Sequence, residues 1–433
     1  MKILVFIAIT FGTQLIGQNE TIITLCEGNY GSSNASIWSF DDSFSGIVGP
    51  IHWDANSNPL GDVAQSLFID DDKLYIVVNN SHSIEVMDVG SGDPVYERTI
   101  TIPGTSPRYM TVLDGLGYVS CWNLQGILVI DLLTDSFLDT IPVSGLPEDI
   151  LIVNNKLYVA ITMDTDWHDG EMVAEYDILD SYAMTNTYTV LTGPNRLLYF
   201  NDHLYVTSVY YDENWVHTYY GTSKINLTTG SVLIRDYGIT SAYNNDIVLF
   251  GNQILRVIGT GIAPLTDSLR FDTTAVMGDF PGIYSIDTDG AYFYIGTTDY
   301  VAPDQVYIMD ADGNVIHQFQ VGAIPGDFAF YNTTSADNGY SVSLVPEQET
   351  LMTNYPNPFN PSTRLTIDSP TGSQSRIEIV NITGQHITTL HQGWLTAGHH
   401  AFCWNGNSQS SGVYFAVLRQ KDCVTIQKLN LIK

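Results

Sequence analysis

The residues best suited to proton transfer or metal binding are His82, Asp164, Asp166, His168 and His217, three of them gathered in the segment DTDWHDG. Imidazole and carboxylate groups can act as general acid and base, or hold a divalent cation that activates water. Lactonase-like hydrolases and lyase-like enzymes use clusters of this composition. None of these residues, however, stands in a spacing that carries such chemistry alone. There is no HExxH motif, no nucleophile elbow and no paired-cysteine metal signature in the chain. The expectation is therefore no catalytic residue, no metal site and no cofactor, with DTDWHDG read as an acidic surface loop. Asp310-Ala311-Asp312-Gly313 lacks the full calcium-loop pattern and reads as a hairpin turn.

Aromatic residues make the stronger chemical signal. They cluster in segments that read as loops: Trp122, then Trp167 beside His168, then Tyr210, Tyr211, Trp215, His217, Tyr219 and Tyr220 in VYYDENWVHTYYG, then Tyr300 in TDYVAP. Exposed rings give large, rigid contact area at low entropic cost, and they suit stacking on sugars or flat macrocycles. The plainer reading is that several of them pack between structural elements. Polar residues recur at the turns that open successive strands: Gln65, Arg108, Glu148, Asn195, Arg196, Asn245, Asp246 and Asp327. These could contact a ligand or hold ordered water. The ligand-binding set is Trp122, Trp167, His168, Tyr210, Tyr211, Trp215, His217, Tyr219 and Tyr300, with Arg108 and Arg196.

The elements that must position these residues are short strands. An apolar strand start recurs at Leu74-Tyr75, Gly117-Tyr118, Leu157-Tyr158, Leu204-Tyr205, Ile254-Leu255 and Phe293-Tyr294, at intervals of 39 to 50 residues. A second strand ending in Asp follows most of them, as in Ile84 to Asp88, Ile127 to Asp131, Val173 to Asp177 and Val306 to Asp310. Turn clusters such as Asp70-Asp71-Asp72 and Asn154-Asn155 separate the pieces, and helical periodicity is absent. A period in the forties with four short strands per unit is the signature of a β-propeller blade. Opening turns at Pro107, Pro147, Pro194, Pro281 and Pro325 support it. The gap from Pro194 to Pro281 leaves room for a drifted blade near Tyr243 to Asp246. Residues Ile22 to Asp41 resemble the second and third strands of a blade whose opening strand is missing. Gly326 to Tyr331 can supply that strand, so the N-terminus would seal a ring of seven blades and leave no sheet edge at the junction. In such a ring the turns that open each inner strand and the loops joining second to third strands share one face. That face is the expected binding site.

Sixteen Lys+Arg stand against 47 Asp+Glu, a formal net charge of −31. A surface so negative repels phosphate backbones, which excludes nucleic acid as a partner, and it also keeps an exported protein in solution. Met1-Lys2 followed by the apolar run Ile3 to Phe11 reads as a signal peptide over residues 1–18. The run is shorter than the about 20 residues needed to cross a bilayer. Cys26 and Cys121 read as buried small hydrophobes, and Cys26 lacks the context of a lipid-attachment cysteine. Cys403 and Cys423 are close enough for a disulfide in an oxidising compartment, an alternative that stays open beside two free thiols.

Residues 61–88 (GDVAQSLFIDDDKLYIVVNNSHSIEVMD), SPRYM, PEDILIVNNKLYVA and VGAIPGDFAF resemble the YVTN-repeat and surface-layer-type bacterial propellers over roughly residues 21 to 331, within an expected propeller domain of residues 19–331. The resemblance extends to a subgroup that includes surface cobalamin-capturing propellers of Bacteroides outer membranes. It implies a corrinoid ligand and an outer-membrane transporter as partner, although those proteins are lipoproteins and this chain lacks their cysteine. Residues 332–350 read as a linker. Residues 351–433 carry NYPNPFNPST at 354–363, Gly384, Trp404 to Gly406 and Ser411 to Phe415; they resemble the type A C-terminal sorting domain of type IX secretion substrates. That resemblance implies passage across the outer membrane by the type IX secretion machinery, to the cell surface or beyond. The expected fold is all-β, a seven-bladed β-propeller followed by a small immunoglobulin-like β-sandwich. The expected function is non-catalytic capture of a corrinoid ligand, with a glycan- or protein-binding surface propeller or a lactonase-like or lyase-like enzyme as the alternatives.

Overall fold

The computed structural model describes residues 20–332 and 351–432, apart from 53–57, 91–93, 213, 215, 241–245, 302, 358, 370–372, 382–384, 396–397, 408 and 421–422. The signal peptide, Trp215, Asn245 and nearly all of the linker therefore lie outside the described residues. The chain divides into two compact units, Met1–Leu344 and Val345–Lys433.

In the first unit the strands assemble into seven antiparallel sheets. The first blade runs Ala64–Asp70, Lys73–Val78, Ser83–Asp88 and Val95–Thr101 from the inside outwards. Blades two, three, four and six repeat that order, starting from Pro107–Leu113, Leu146–Val153, Pro194–Phe200 and Ile283–Thr288. The fifth blade is the drifted one. It keeps three strands, Ile247–Phe250, Gln253–Ile258 and Gly261–Pro264, and Met277 bridges to Ile262 where the fourth would begin. The seventh is composite, as the ends of the repeat imply: Pro325–Asn332 lies inside, Glu20–Cys26 pairs with it, and Ser36–Asp41 follows. Each inner strand touches the next, and the seventh touches the first, so the ring is closed.

Burial explains the composition of the strands. Both faces of a blade are covered by neighbouring blades, so middle strands read as continuous apolar runs; Lys73–Val78 is buried from Leu74 onward. Fourth strands are largely exposed because they form the solvated rim of each blade: Ser136–Pro142 buries only Ile141, and Val95–Thr101 alternates between half-buried and exposed positions up to Ile100. The apolar cores lie between blades. Tyr75, Val77, Ile84 and Val86 of the first blade, for example, pack on Met110, Val119, Cys121 and Ile130 of the second. Cys26 and Cys121 are fully buried thiols in such cores.

The opening of the inner strands departs from regular pairing. The register slips between Ala64 and Ser66, Pro107 and Met110, Pro147 and Ile150, Pro194 and Leu197, and Ile283 and Ser285. A bulge bends its strand and re-aims side chains. Repeated at one level of the ring, it turns the polar residues after each opening turn towards the central channel.

The second unit is a sandwich of a three-stranded sheet, Leu351–Tyr355, Ser362–Ser369 and Gly398–Asn405, and a four-stranded sheet built on Ser373–Asn381 and Gly412–Gln420. Phe359, Leu365, Ile377, Ile379, Trp404, Leu418 and Leu429 fill its core. Cys403 is an exposed free thiol rather than half of a disulfide; the side chain of Cys423 lies outside the described residues.

Candidate site at the channel mouth

The site is built from side chains that the opening bulges deliver. Arg108 donates from Nη2 to Glu148 at 2.6 Å and from Nε to both of its carboxylate oxygens at 3.0 and 3.2 Å. Its Nη1 donates to Oε1 of Gln65. The cation thus links the first three blades. Its guanidinium also lies 4.3 Å from the centroid of the Trp122 ring, a cation–π geometry. Trp122 in turn meets Trp167 edge-on, with centroids 6.0 Å apart. Trp167 is 57% exposed and caps the ladder at the surface. The indole N–H of Trp122 is buried and has no acceptor among the described residues.

In the same ring of side chains, Arg196 stands 3.6 Å from Asp246, 3.8 Å from Asp327 and 4.0 Å from Asp149, and 4.8 Å from the centroid of the Tyr109 ring. The three aspartates occupy the same place in blades three, five and seven. Each accepts a backbone N–H from the next inner strand: Leu197 to Asp149 at 2.8 Å, Ile286 to Asp246 at 2.9 Å and Leu67 to Asp327 at 2.8 Å. They hold neighbouring blades together while presenting carboxylates to Arg196. On the far side, Tyr284 donates its hydroxyl to Glu27 at 3.0 Å and meets Tyr300 edge-on at 6.3 Å.

Burial dominates the electrostatics. It pushes Glu27 up to about 8, and Asp149 and Asp246 up to about 6, with the nearby guanidiniums pulling back down. Asp287 and Asp327 are raised for the same reason. Desolvation disfavours the charged carboxylate, and repulsion between neighbouring carboxylates adds to it at Glu27, Asp246 and Asp287.

The other sequence-predicted residues fall elsewhere on the loops. His168 bonds Asp164 at 3.2 Å, and His217 bonds Asp212 at 2.8 Å, each pair within one loop. His82 accepts the Ser106 N–H at 3.0 Å. Tyr210 stacks on its cross-strand partner Tyr219 at 5.2 Å and donates to Asp236 of the fourth strand, so this pair faces the outer part of its blade. Tyr211 sits opposite Thr218 at the end of the same ladder. Tyr220 is buried against Tyr237 and belongs to the packing rather than the rim. Asp310 caps its own turn by accepting from the N–H groups of Asp312 and Asn314. Among the described residues no group of three His, Cys, Asp or Glu stands close enough to hold a metal ion. A separate cleft of about 280 Å³, lined by Ser33, Ser36, His52 and Leu60 among others, includes none of the predicted residues. Sequence reasoning missed Glu27, Tyr109, Asp149, Tyr284 and Asp287. The signal available for Asp149 was its shared offset with Asp246 and Asp327 behind the opening turn.

No curated protein matches the chain. Its fold is similar to the solved structure of a candidate 6-phosphogluconolactonase from Bacteroides fragilis NCTC 9343, at 14% identity and a TM-score of 0.51, over 73% of this chain and 98% of that one. A functionally unknown protein from Desulfotomaculum acetoxidans DSM 771 is similar at 11% identity and a TM-score of 0.52, over 72% and 99%. The WD40 beta propeller domain of Doa1 aligns at 15% identity and a TM-score of 0.46, over 65% and 86%. Identities this low are likenesses of fold alone. Residues 353–432 match the family described as the secretion system C-terminal sorting domain. The C-terminal unit is thus the sorting domain of a type IX secretion substrate, which directs the propeller that carries it to the cell surface or the extracellular space.

Proposed function

We propose that the exported propeller captures a ligand at its aromatic channel mouth without transforming it. The observation that carries this reading is the ladder Trp167, Trp122, Arg108 and Glu148. It spans two blades, ends in a largely exposed indole and is braced from below by a nearly buried ion pair. A rigid exposed ring held by packing is the usual anchor of a binding surface. Tyr300, 51% exposed above Tyr284, supplies a second ring on the same face. The histidines favour no catalytic reading, since His168 and His217 are each engaged by an aspartate of their own loop and His82 accepts the Ser106 N–H.

The finer version takes the ligand to be a corrinoid, delivered to an outer-membrane transporter, as the resemblance to YVTN-repeat and cobalamin-capturing propellers implies. A glycan is the next ligand for the same rings. Titrating the full secreted chain with cyanocobalamin by calorimetry tests the corrinoid version. Saturable micromolar binding that Trp167→Ala abolishes is expected, and no heat at those concentrations overturns it. A glycan array on the same protein then tests the broader reading; loss of every hit in Trp167→Ala supports it, and an array without hits counts against it.

A further inference from the structure

The charge of the channel narrows the ligand class, an inference that rests on the capture reading above. Two ladders run from the rim to carboxylates. Trp167 leads through Trp122 and Arg108 to Glu148, and Tyr300 leads through Tyr284 to Glu27. Beside them Asp149, Asp246 and Asp327 surround Arg196 at 3.6 to 4.0 Å. Five carboxyl groups, Glu27, Glu148, Asp149, Asp246 and Asp327, thus face two guanidiniums, and they outnumber the cations even with Glu27 held largely protonated by burial. Neither guanidinium is left over for an anion, because Arg108 is engaged by Glu148 and Gln65 and Arg196 is shared among three carboxylates.

An excess of negative charge behind low-dielectric walls focuses a potential that attracts cations. Exposed indole and phenol faces attract the same ligands through their quadrupoles. Two unlike features therefore select one chemistry. We propose that the ligand held at the mouth is an organic cation, its ammonium or quaternary ammonium group lodged between the rim rings and the channel carboxylates, and that anions of the same shape are refused.

The titration of the channel agrees with this geometry. Glu27, Asp149 and Asp246 are held partly protonated near neutrality by burial. An arriving cation favours their ionised forms, so binding should strengthen as the pH rises from about 6 to about 8. Over that window Arg108 and Arg196 stay charged and Tyr109 and Tyr284 stay protonated, since their values are all raised.

The test uses three aromatic probes of one shape: tryptamine (cationic), tryptophol (neutral) and indole-3-acetate (anionic), titrated into the full secreted chain by calorimetry. Tryptamine is expected to bind at least about tenfold more tightly than tryptophol, with no binding of indole-3-acetate. Glu27→Gln should flatten the rise of tryptamine affinity between about pH 6 and pH 8, because the amide cannot ionise as the cation arrives, while Trp167→Ala should lose tryptamine and tryptophol alike; far-UV circular dichroism verifies that each variant is folded. Equal binding of tryptamine and tryptophol, both lost in Trp167→Ala, overturns the cation inference and leaves the capture reading standing. Preference for indole-3-acetate, or no binding of any probe, also overturns the inference, and the corrinoid and glycan titrations then judge capture separately. Tryptamine binding that survives Trp167→Ala overturns both.

Discussion

The guanidinium of Arg108 lies parallel in function to a keystone under the Trp122 ring, 4.3 Å from its centroid. The same cation neutralises Glu148, whose side chain is only 2% exposed. Ring position and channel charge are therefore set by one side chain.

Arg108→Ala should cost about 3–5 kcal/mol of stability, because it leaves the Glu148 carboxylate buried without its counter-charge. Urea unfolding of the full chain measures this at the propeller transition. Arg108→Ala combined with Glu148→Leu should recover most of the loss, since an apolar pair leaves no buried charge behind.

Stability should depend on pH in a direction set by the channel. Glu27, Asp149 and Asp246 have folded-state values above their ordinary ones. Raised carboxyl groups contribute stability that is fully present below the unfolded-state value and lost as the pH rises through the folded-state value. The propeller melting temperature should therefore fall between about pH 5 and pH 8.5. Glu27→Gln should flatten the upper part of that decline by about 2–4 °C in scanning calorimetry. A melting temperature that rises across this window would contradict the assignment.

Closure by the N-terminal strands predicts that they matter as much as any internal blade. Leu25 is fully buried in the core shared by the seventh and first blades, where it belongs to the same cluster as Leu74. Leu25→Ala should cost about 2–5 kcal/mol, comparable with Leu74→Ala, despite its place near the start of the chain. Equilibrium denaturation of the two variants compares them directly.

Removal of residues 351–433 should leave a folded propeller that no longer reaches the cell surface. In a host with a type IX system, fractionation and surface proteolysis would find the truncated chain retained in the periplasm. Surface delivery without this unit would show that export relies on another signal.

The repeat made the ring legible before any coordinates. Tyrosines at 75, 118, 158, 205 and 294 mark strand starts at blade intervals, and the orphan strands at Ile22 to Asp41 called for a partner that Gly326 to Tyr331 could supply. The rim was legible only in part. Trp122 and Tyr210 look alike as aromatic loop residues, yet Trp122 stacks over Arg108 and Tyr210 turns outward to Asp236. Which way a ring turns depends on neighbours from other strands, and a linear pattern does not contain them.

The sequence by itself determined the architecture and the export of this protein, because strand periodicity and the sorting motif are local properties that short stretches of chain carry. Only the tertiary structure decided what the channel is. Glu27 meets Tyr284 across 257 positions, and Asp327 meets Leu67 across 260. The ring brings these groups together away from bulk water, and burial then raises their carboxyl values. Their proximity and their protonation are both products of closure, so neither can be read from residues taken one at a time.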